Sequence, residues 1–279
     1  MKHLLRKCTF LIPLSLALLF SCNSPWSDAA SGWDQIPQIL EQINPPQFSD
    51  YEVRVTDFGA RGDGTTDCTQ AFKQAISACH DAGGGRVVVP EGDYLTGAIH
   101  LKSNINLHLS ENATLLFIRD LEYYLPTVYT RFEGVECMNY SPLIYAFGQK
   151  NIAVTGKGTL DGQADETFWW SWAKKKDHGW TEDMPHQKQD RDRLFQMGEN
   201  NVPVRERRFG KGHYLRVNFI QFYQCKNILI DGITMKRSPM WEIHPVLSEN
   251  ITVRNVKIES HGPNNDGCNP ESCKNVLIE

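Results

Sequence analysis

The segment at residues 249–258 reads Glu249-Asn250-Ile251-Thr252-Val253-Arg254-Asn255-Val256-Lys257-Ile258, and its pattern recurs along the chain. Each copy begins with an asparagine and continues as a short run of mostly apolar residues. The copies start at Asn104, Asn151, Asn227, Asn250 and Asn275. The last three starts are separated by 23 and 25 residues. A period in the twenties indicates a solenoid in which every copy supplies one strand.

Leucine-rich repeats have a similar period, but their Leu-x-x-Leu-x-Leu frame is missing here. The pattern favours an all-β fold, a right-handed parallel β-helix whose coils stack about 4.8 Å apart. Inward Ile, Val and Leu side chains would fill the core, and the corner asparagines would form ladders of amide hydrogen bonds. Residues 67–81 have apolar side chains at helical spacing. We expect this helix to cap the N-terminal end of the solenoid.

Composition excludes some classes of protein. The 279-residue chain has a net charge of −4, whereas a general nucleic-acid-binding domain is strongly basic. No Cys-x-x-Cys and no histidine cluster has metal-ligand spacing, so neither a metal nor another cofactor is predicted. Cys268 and Cys273 are candidates for a disulfide, with small buried thiols as the alternative. We expect a monomer.

The N-terminus has the features of an export signal. Residues 1–22 have a basic start and an apolar run at residues 11–20, which is too short to span a bilayer comfortably. Leu19-Phe20-Ser21-Cys22 resembles a bacterial lipoprotein cleavage box, which makes Cys22 the predicted lipidation site. Secretion without lipid is the alternative. Residues 23–49 are expected to be a tether, which places the protein in the periplasm or on the outer membrane, where a lipid anchor would be its membrane contact.

One acidic residue lies between two copies of the repeat, in the segment Asn264-Asn265-Asp266-Gly267-Cys268-Asn269-Pro270. From its residue types this segment is a turn, with a catalytic carboxylate at Asp266 as the alternative.

Residues 161–216 interrupt the repeat and are rich in tryptophan and arginine. A long insertion in a solenoid lies on one face and often forms a cleft wall. The aromatic rings could stack on sugars and the arginines could pair with carboxylates. The alternative is a solvated basic loop whose tryptophans pack on the coils. The residues concerned are Trp169, Trp170, Trp172, Trp180, Arg205, Arg207, Arg208, Lys211 and Arg216.

Four segments together resemble glycoside hydrolase family 28, the polygalacturonases and rhamnogalacturonases. They are residues 57–67, 221–227, 238–245 and 264–267. The resemblance implies a pectin-lyase-like β-helix, with residues 50–279 as the N-terminal part of a glycosidase domain. It implies hydrolysis of a pectic polysaccharide, either homogalacturonan or rhamnogalacturonan. The Trp-x-x-His-Pro form at residues 241–245 looks more like the bacterial exo-acting branch than the endo-acting enzymes.

The resemblance also implies roles for particular residues. Family 28 enzymes invert the anomeric carbon, with one carboxylic acid on the leaving oxygen and one carboxylate on a water, about 6.5–9.5 Å apart. Asp266 matches the aspartate that helps to activate the water, and Asn264 would orient it or contact the sugar. His244, Trp241 and Asn269 are further candidate substrate contacts. The alternatives are a histidine satisfied at a coil corner and a tryptophan in the core or cleft wall.

The sequence departs from the family in lacking its Asp-Asp pair and its later His-Gly and Arg-x-Lys motifs. We therefore expect the chain to be truncated at its C-terminus and these 279 residues alone to be inactive. A non-catalytic β-helix that binds polysaccharide or acts as an adhesin is the second hypothesis. A pectate lyase is the third, although that chemistry generally uses clustered acidic calcium ligands, and the sequence shows no such cluster.

Overall fold

The structure is a computed structural model that describes residues 32–279. The predicted signal segment 1–22, with Cys22, lies outside the described residues. Residues 38–279 form one compact unit, and Gly32–Gln35 forms a 3-10 turn in the unit before it. Within the described residues, no helix is both long and apolar enough to cross a membrane.

The helices are α1 (Ile36–Leu40), α2 (Thr69–Asp81) and α3 (Lys188–Glu199). The strands are β1 (Glu52–Arg54), β2 (Asp63–Asp67), β3 (Gly85–Val89), β4 (Gly92–Thr96), β5 (Ile99–His100), β6 (Ile105–Leu109), β7 (Ala113–Phe117), β8 (Val128–Phe132), β9 (Val135–Asn139), β10 (Ile144–Phe147), β11 (Lys150–Gly156), β12 (Thr159–Asp161), β13 (Arg208–Phe209), β14 (Ile220–Tyr223), β15 (Lys226–Asp231), β16 (Thr234–Lys236), β17 (Ile243–Val246), β18 (Glu249–Arg254), β19 (Lys257–Glu259) and β20 (Lys274–Ile278).

Three parallel sheets form the faces of a right-handed β-helix, which confirms the predicted fold class. Sheet A has the order β1-β3-β6-β11-β15-β18-β20, sheet B the order β2-β4-β7-β12-β16-β19, and sheet C the order β5-β10-β14-β17. The chain passes through sheets A, B and C in turn, as β15, β16 and β17 do. Each coil therefore stacks on the coil before it.

The asparagine-led strands of the sequence repeat are β6, β11, β15, β18 and β20, which are consecutive neighbours in sheet A. Asn151 donates from Nδ2 to Asn104 Oδ1 at 2.9 Å, Asn227 to Asn151 at 2.7 Å, and Asn250 to Asn227 at 2.8 Å. All four residues have positive φ, which asparagine tolerates better than most side chains. The predicted ladder is confirmed, and the backbone turn explains why its corner residue is asparagine.

Aliphatic side chains stack along the core of the β-helix. Ile105, Ile152, Ile228 and Ile251 are paired in register across sheet A, and each is at most 1% exposed. Because every residue in such a row repeats the same contact one coil further on, the repeat period fixes the packing of the core.

Helix α2 packs on β1, on β3 and on the adjoining 3-10 turn Val55–Phe58, as expected of a cap on the first coil. It buries the face predicted from the sequence, which is Ala71, Phe72, Ala75, Ile76 and Cys79. It begins two residues later than predicted. Asp67 accepts hydrogen bonds from the backbone N–H and the hydroxyl of Thr69, and this local turn precedes the helix.

Two insertions leave the β-helix where the chain crosses from sheet B to sheet C, an edge that we call the B–C edge. Residues 118–143 follow β7 and contain the antiparallel hairpin β8–β9. Residues 162–219 follow β12 and contain α3 and β13, which pairs with β9. The repeat did not predict the hairpin. The Asp266 segment also lies at this edge, because Cys268 rejoins sheet C by bridging to Ile243.

Part of the predicted tether is packed on the β-helix. Ile43 is buried, and Asn44 exchanges two backbone hydrogen bonds with the Asn250 side chain, at 2.9 and 2.8 Å. Ser49 donates from its hydroxyl to Gly84 O. Residues 43–49 are therefore held at sheet A.

The cysteines of the described residues are all free thiols, including Cys268 and Cys273. Burial raises the pKa of Cys268 to about 11. Cys268 and Cys273 are half-buried, so the structure agrees with the alternative of free thiols rather than a disulfide between them.

Candidate active site

Asp266 is exposed on the B–C edge, in the turn that connects β19 to sheet C. Among residues 32–279, no side chain or backbone group forms a hydrogen bond with its carboxylate. The direction of this carboxylate is therefore set by the backbone on either side of it. Groups of the preceding coil and of the second insertion hold that backbone.

The Asn265 side chain fastens the turn to the preceding coil. Its Oδ1 accepts from Ser260 Oγ at 2.7 Å and from Gly262 N at 2.6 Å. Its Nδ2 donates to Met240 O at 2.8 Å and to Ser238 O at 3.2 Å. Both the oxygen and the nitrogen of the amide have hydrogen-bond partners, so Asn265 fixes the backbone directly before Asp266.

Arg216, from the second insertion, holds the two residues that precede Asn265. It donates from Nη2 to Asn264 Oδ1 at 2.6 Å and from Nη1 to Pro263 O at 2.5 Å. The same Nη1 reaches Pro239 O at 3.1 Å, and Nε donates to Gln187 Oε1 at 2.9 Å. One side chain thus ties the Asp266 turn to the previous coil and to the insertion.

Arg216 is a buried cation, only 1% exposed, and none of its hydrogen bonds goes to a carboxylate. Burial lowers its pKa to about 10, against the opposing charges of Glu133 and Asp266. The guanidinium therefore stays charged at neutral pH, and the negative charges of Glu133 and Asp266 favour that charged form.

Glu242 holds the residue that follows Asp266. Its carboxyl is fully buried, and Oε2 accepts from Gly267 N at 2.8 Å. The Gly267 carbonyl in turn accepts from Ile243 N at 2.8 Å. Burial raises the pKa of Glu242 to about 7; the hydrogen bond from Gly267 N opposes this rise, and the charge of Asp266 reinforces it. Below neutral pH this carboxyl is therefore mostly protonated.

Trp170 brings the second insertion into contact with the same turn. Its Nε1 donates to Ser238 O at 2.8 Å, and its ring lies over Gly262. A Cβ at Gly262 would stand 2.3 Å from Trp170 Nε1, so a side chain does not fit there without moving the indole. The insertion forms one wall beside Asp266.

His244, a predicted substrate contact, lies inside the protein. Its side chain has no exposed surface, because hairpin β8–β9 covers this face of sheet C. Nδ1 is hydrogen-bonded to the side chains of Asn218 and Gln221, and Nε2 to Glu271 Oε2 at 2.9 Å. Both ring nitrogens have hydrogen-bond partners, which agrees with the alternative of a satisfied histidine.

Trp241 and Asn269 are both half-buried. Trp241 is half-buried against a cluster that includes Phe132 and Leu194, and its ring meets His244 edge-on at 4.8 Å. Trp241 Nε1 and Asn269 Oδ1 are both buried without a hydrogen-bond partner. The packing of Trp241 fits the core or cleft-wall alternative, and the contact of both residues with substrate stays a prediction.

The insertion's aromatic side chains mostly pack inward. Trp169 is fully buried and Trp172 is 7% exposed, in edge-on contact with each other at 4.8 Å. Trp180 is half-buried and lies beneath the Lys174 ammonium, 5.2 Å from the ring centroid. The interpretation of tryptophans packed on the coils is confirmed for Trp169 and Trp172.

Sequence reasoning missed the ion pair that docks the hairpin. Arg131 of β8 donates to Glu271 Oε1 at 2.8 Å. Glu271 lies shortly after Asp266 in the chain, on the same coil. Although burial alone would raise the pKa of Glu271, hydrogen bonds from His244 and Arg131 lower it. The hairpin is thus anchored to the coil that carries Asp266.

Comparison with known proteins extends these observations. A rhamnogalacturonase A/epimerase, pectate lyase-like family model matches residues 53–108. A probable polygalacturonase from Vitis vinifera is 31% identical over 255 residues, which cover 87% of this chain and 44% of that protein. An exo-poly-alpha-D-galacturonosidase from Dickeya chrysanthemi is 29% identical over 242 residues, 81% of this chain and 39% of that protein.

A solved structure shares both fold and sequence. The hyperthermoactive exopolygalacturonase of Thermotoga maritima superposes with a TM-score of 0.85 at 57% identity, over 87% of this chain and 54% of that one. The chain is a homologue of the family 28 polygalacturonases. It spans less than half the length of these two curated relatives.

Proposed function

We propose that the protein hydrolyses glycosidic bonds of pectic polysaccharide, with Asp266 as the carboxylate that activates the attacking water. One observation carries this proposal. An exposed carboxylate, with no hydrogen-bond partner in the part of the chain that the structure describes, stands on a backbone that Asn265, Arg216 and Glu242 hold in place. A general base must be fixed in direction and free to accept a proton from water, and this arrangement meets both needs.

We further propose that the protein acts from chain ends. The hairpin is fastened to Glu271 and the second insertion to Asn264, so both insertions meet the coil that carries Asp266. A polymer lying along the B–C edge toward β5 would collide with them. Two of the proteins compared with this chain are named for exo action. These observations support a site closed on its N-terminal side.

Export remains a proposal that depends on residues 1–22 alone. A lipid at Cys22 would hold the protein at the outer membrane, with pectic oligomers as its substrate in the periplasm or outside the cell.

The test is product analysis, with protein expressed from the whole gene. On polygalacturonate we expect monomeric galacturonate from the first time point, with little loss of viscosity, and weaker release from rhamnogalacturonan. Unsaturated products would identify a lyase, and binding without release would identify a non-catalytic β-helix. Either of these results would overturn the proposed hydrolysis, whereas early oligomers with a rapid loss of viscosity would overturn the exo mode only.

A further inference from the structure

Three groups hold the backbone around Asp266, and one of them is unusual. The Asn265 amide is satisfied at both ends, and the Arg216 guanidinium makes hydrogen bonds from Nε, Nη1 and Nη2. Glu242, in contrast, is fully buried, yet its Oε1 has no hydrogen-bond partner. Burying a carboxyl with an unsatisfied oxygen costs free energy, and an apolar side chain would fill the same space without that cost.

The hydrogen bond that Glu242 does accept fixes the backbone next to Asp266. Oε2 accepts from the N–H of Gly267, the peptide unit that directly follows Asp266. The carbonyl of Gly267 is fixed to Ile243 N, so this residue is held at both its N–H and its C=O. Gly267 has φ of +78°, which glycine adopts without strain. Because glycine also has many other conformations open to it, these two hydrogen bonds are needed to hold it in this one.

Asp266 depends on this fixing more than an ordinary side chain would. Because its carboxylate forms no hydrogen bond within residues 32–279, only the backbone on either side fixes where the carboxylate stands, and Gly267 is the residue on its C-terminal side. The pKa of Glu242 is raised to about 7 by burial. Below that pH the carboxyl of Glu242 is mostly neutral, and in this form it can still accept the hydrogen bond from Gly267 N.

We infer that Glu242 is a positioning residue for Asp266: its buried carboxyl holds the Gly267 peptide and so fixes where the Asp266 carboxylate stands. The catalytic part of this inference rests on the proposed function; the geometric part does not.

A pair of variants separates the hydrogen bond from mere packing. Glu242→Gln keeps the shape and the acceptor, whereas Glu242→Met keeps the length and removes the acceptor. In the protein expressed from the whole gene, Glu242→Met should lower kcat about 10- to 100-fold with KM within about threefold. Glu242→Gln should stay within about threefold of the wild type in kcat.

A second measurement does not need activity. Amide hydrogen exchange at Gly267 should become at least about tenfold faster in Glu242→Met than in the wild type or in Glu242→Gln, and a crystal structure of Glu242→Met should show Asp266 displaced. A folded Glu242→Met protein with unchanged kcat, or with unchanged exchange at Gly267, would overturn the inference. If the wild type hydrolyses no pectic oligomer but exchange and structure respond as expected, the proposed function fails and the positioning of Asp266 by Glu242 stands.

Discussion

Replacing Asp266 by asparagine should lower kcat on galacturonate oligomers by roughly 10²- to 10⁴-fold, the range usual for loss of a general base. Asparagine keeps the size of the side chain but cannot accept the proton of the attacking water. KM should change by less than about threefold, because the amide can still contact the sugar. Stability should change by less than about 0.5 kcal/mol, since Asp266 is exposed and its carboxylate makes no hydrogen bond among the described residues that the substitution would remove.

Steady-state kinetics and urea unfolding of the two proteins give this comparison. Asp93→Asn is a matched control, because Asp93 is an exposed aspartate on β4 in sheet B, several coils before the site. It should retain wild-type kcat. An Asp266→Asn protein that is folded and turns over at the wild-type rate would show that another group activates the water.

Replacing Glu242 by glutamine should change how the free energy of unfolding depends on pH. The pKa of Glu242 is about 7 in the folded protein against 4.5 for an ordinary glutamate, because burial disfavours the charged form. A raised acid pKa contributes stability that is present in full below pH 4.5 and is lost as the pH rises to about 7. The loss for the wild type amounts to about 3 kcal/mol between these two pH values.

Glutamine cannot ionise, so the variant should lack this loss. The wild type should therefore lose about 3 kcal/mol relative to Glu242→Gln between pH 4.5 and pH 7, on top of any constant offset from the buried amide. Urea unfolding at several pH values measures the difference. Glu199→Gln, at an exposed position on α3, controls for the loss of one carboxylate. Parallel curves for the wild type and Glu242→Gln would mean that the buried carboxyl does not titrate in this range.

Much of the fold was predictable because one pattern repeats. Asparagine at the start of each copy marks a corner with positive φ, and the alternating residues after it mark the inward face, as Ile152 and Ile228 show. A single period therefore fixes the strands, the ladder and the core. Helix α2 was predictable for a local reason, since its buried residues recur at helical spacing.

The insertions were harder to predict, because their structure depends on contacts between distant segments. The hairpin β8–β9 does have a local signal, Glu133-Gly134 at its turn, where both residues have positive φ. Nothing in the sequence around His244 indicates that this hairpin covers it. Similarly, the basic residues around Arg216 indicate an exposed loop, yet Arg216 is buried and hydrogen-bonded to Asn264. Glu242 does have a local signal, because it is an acidic residue directly before strand β17.

The sharpest test of Asp266 as a water-activating base is the anomeric configuration of the first product. Proton NMR can follow it while the protein expressed from the whole gene hydrolyses an α-linked galacturonate oligomer. A water attacking opposite the leaving group inverts the anomeric carbon, so the β-anomer should appear first and the α-anomer only by later mutarotation. Initial release of the α-anomer would mean that a carboxylate attacks the sugar itself, which would contradict the role assigned to Asp266.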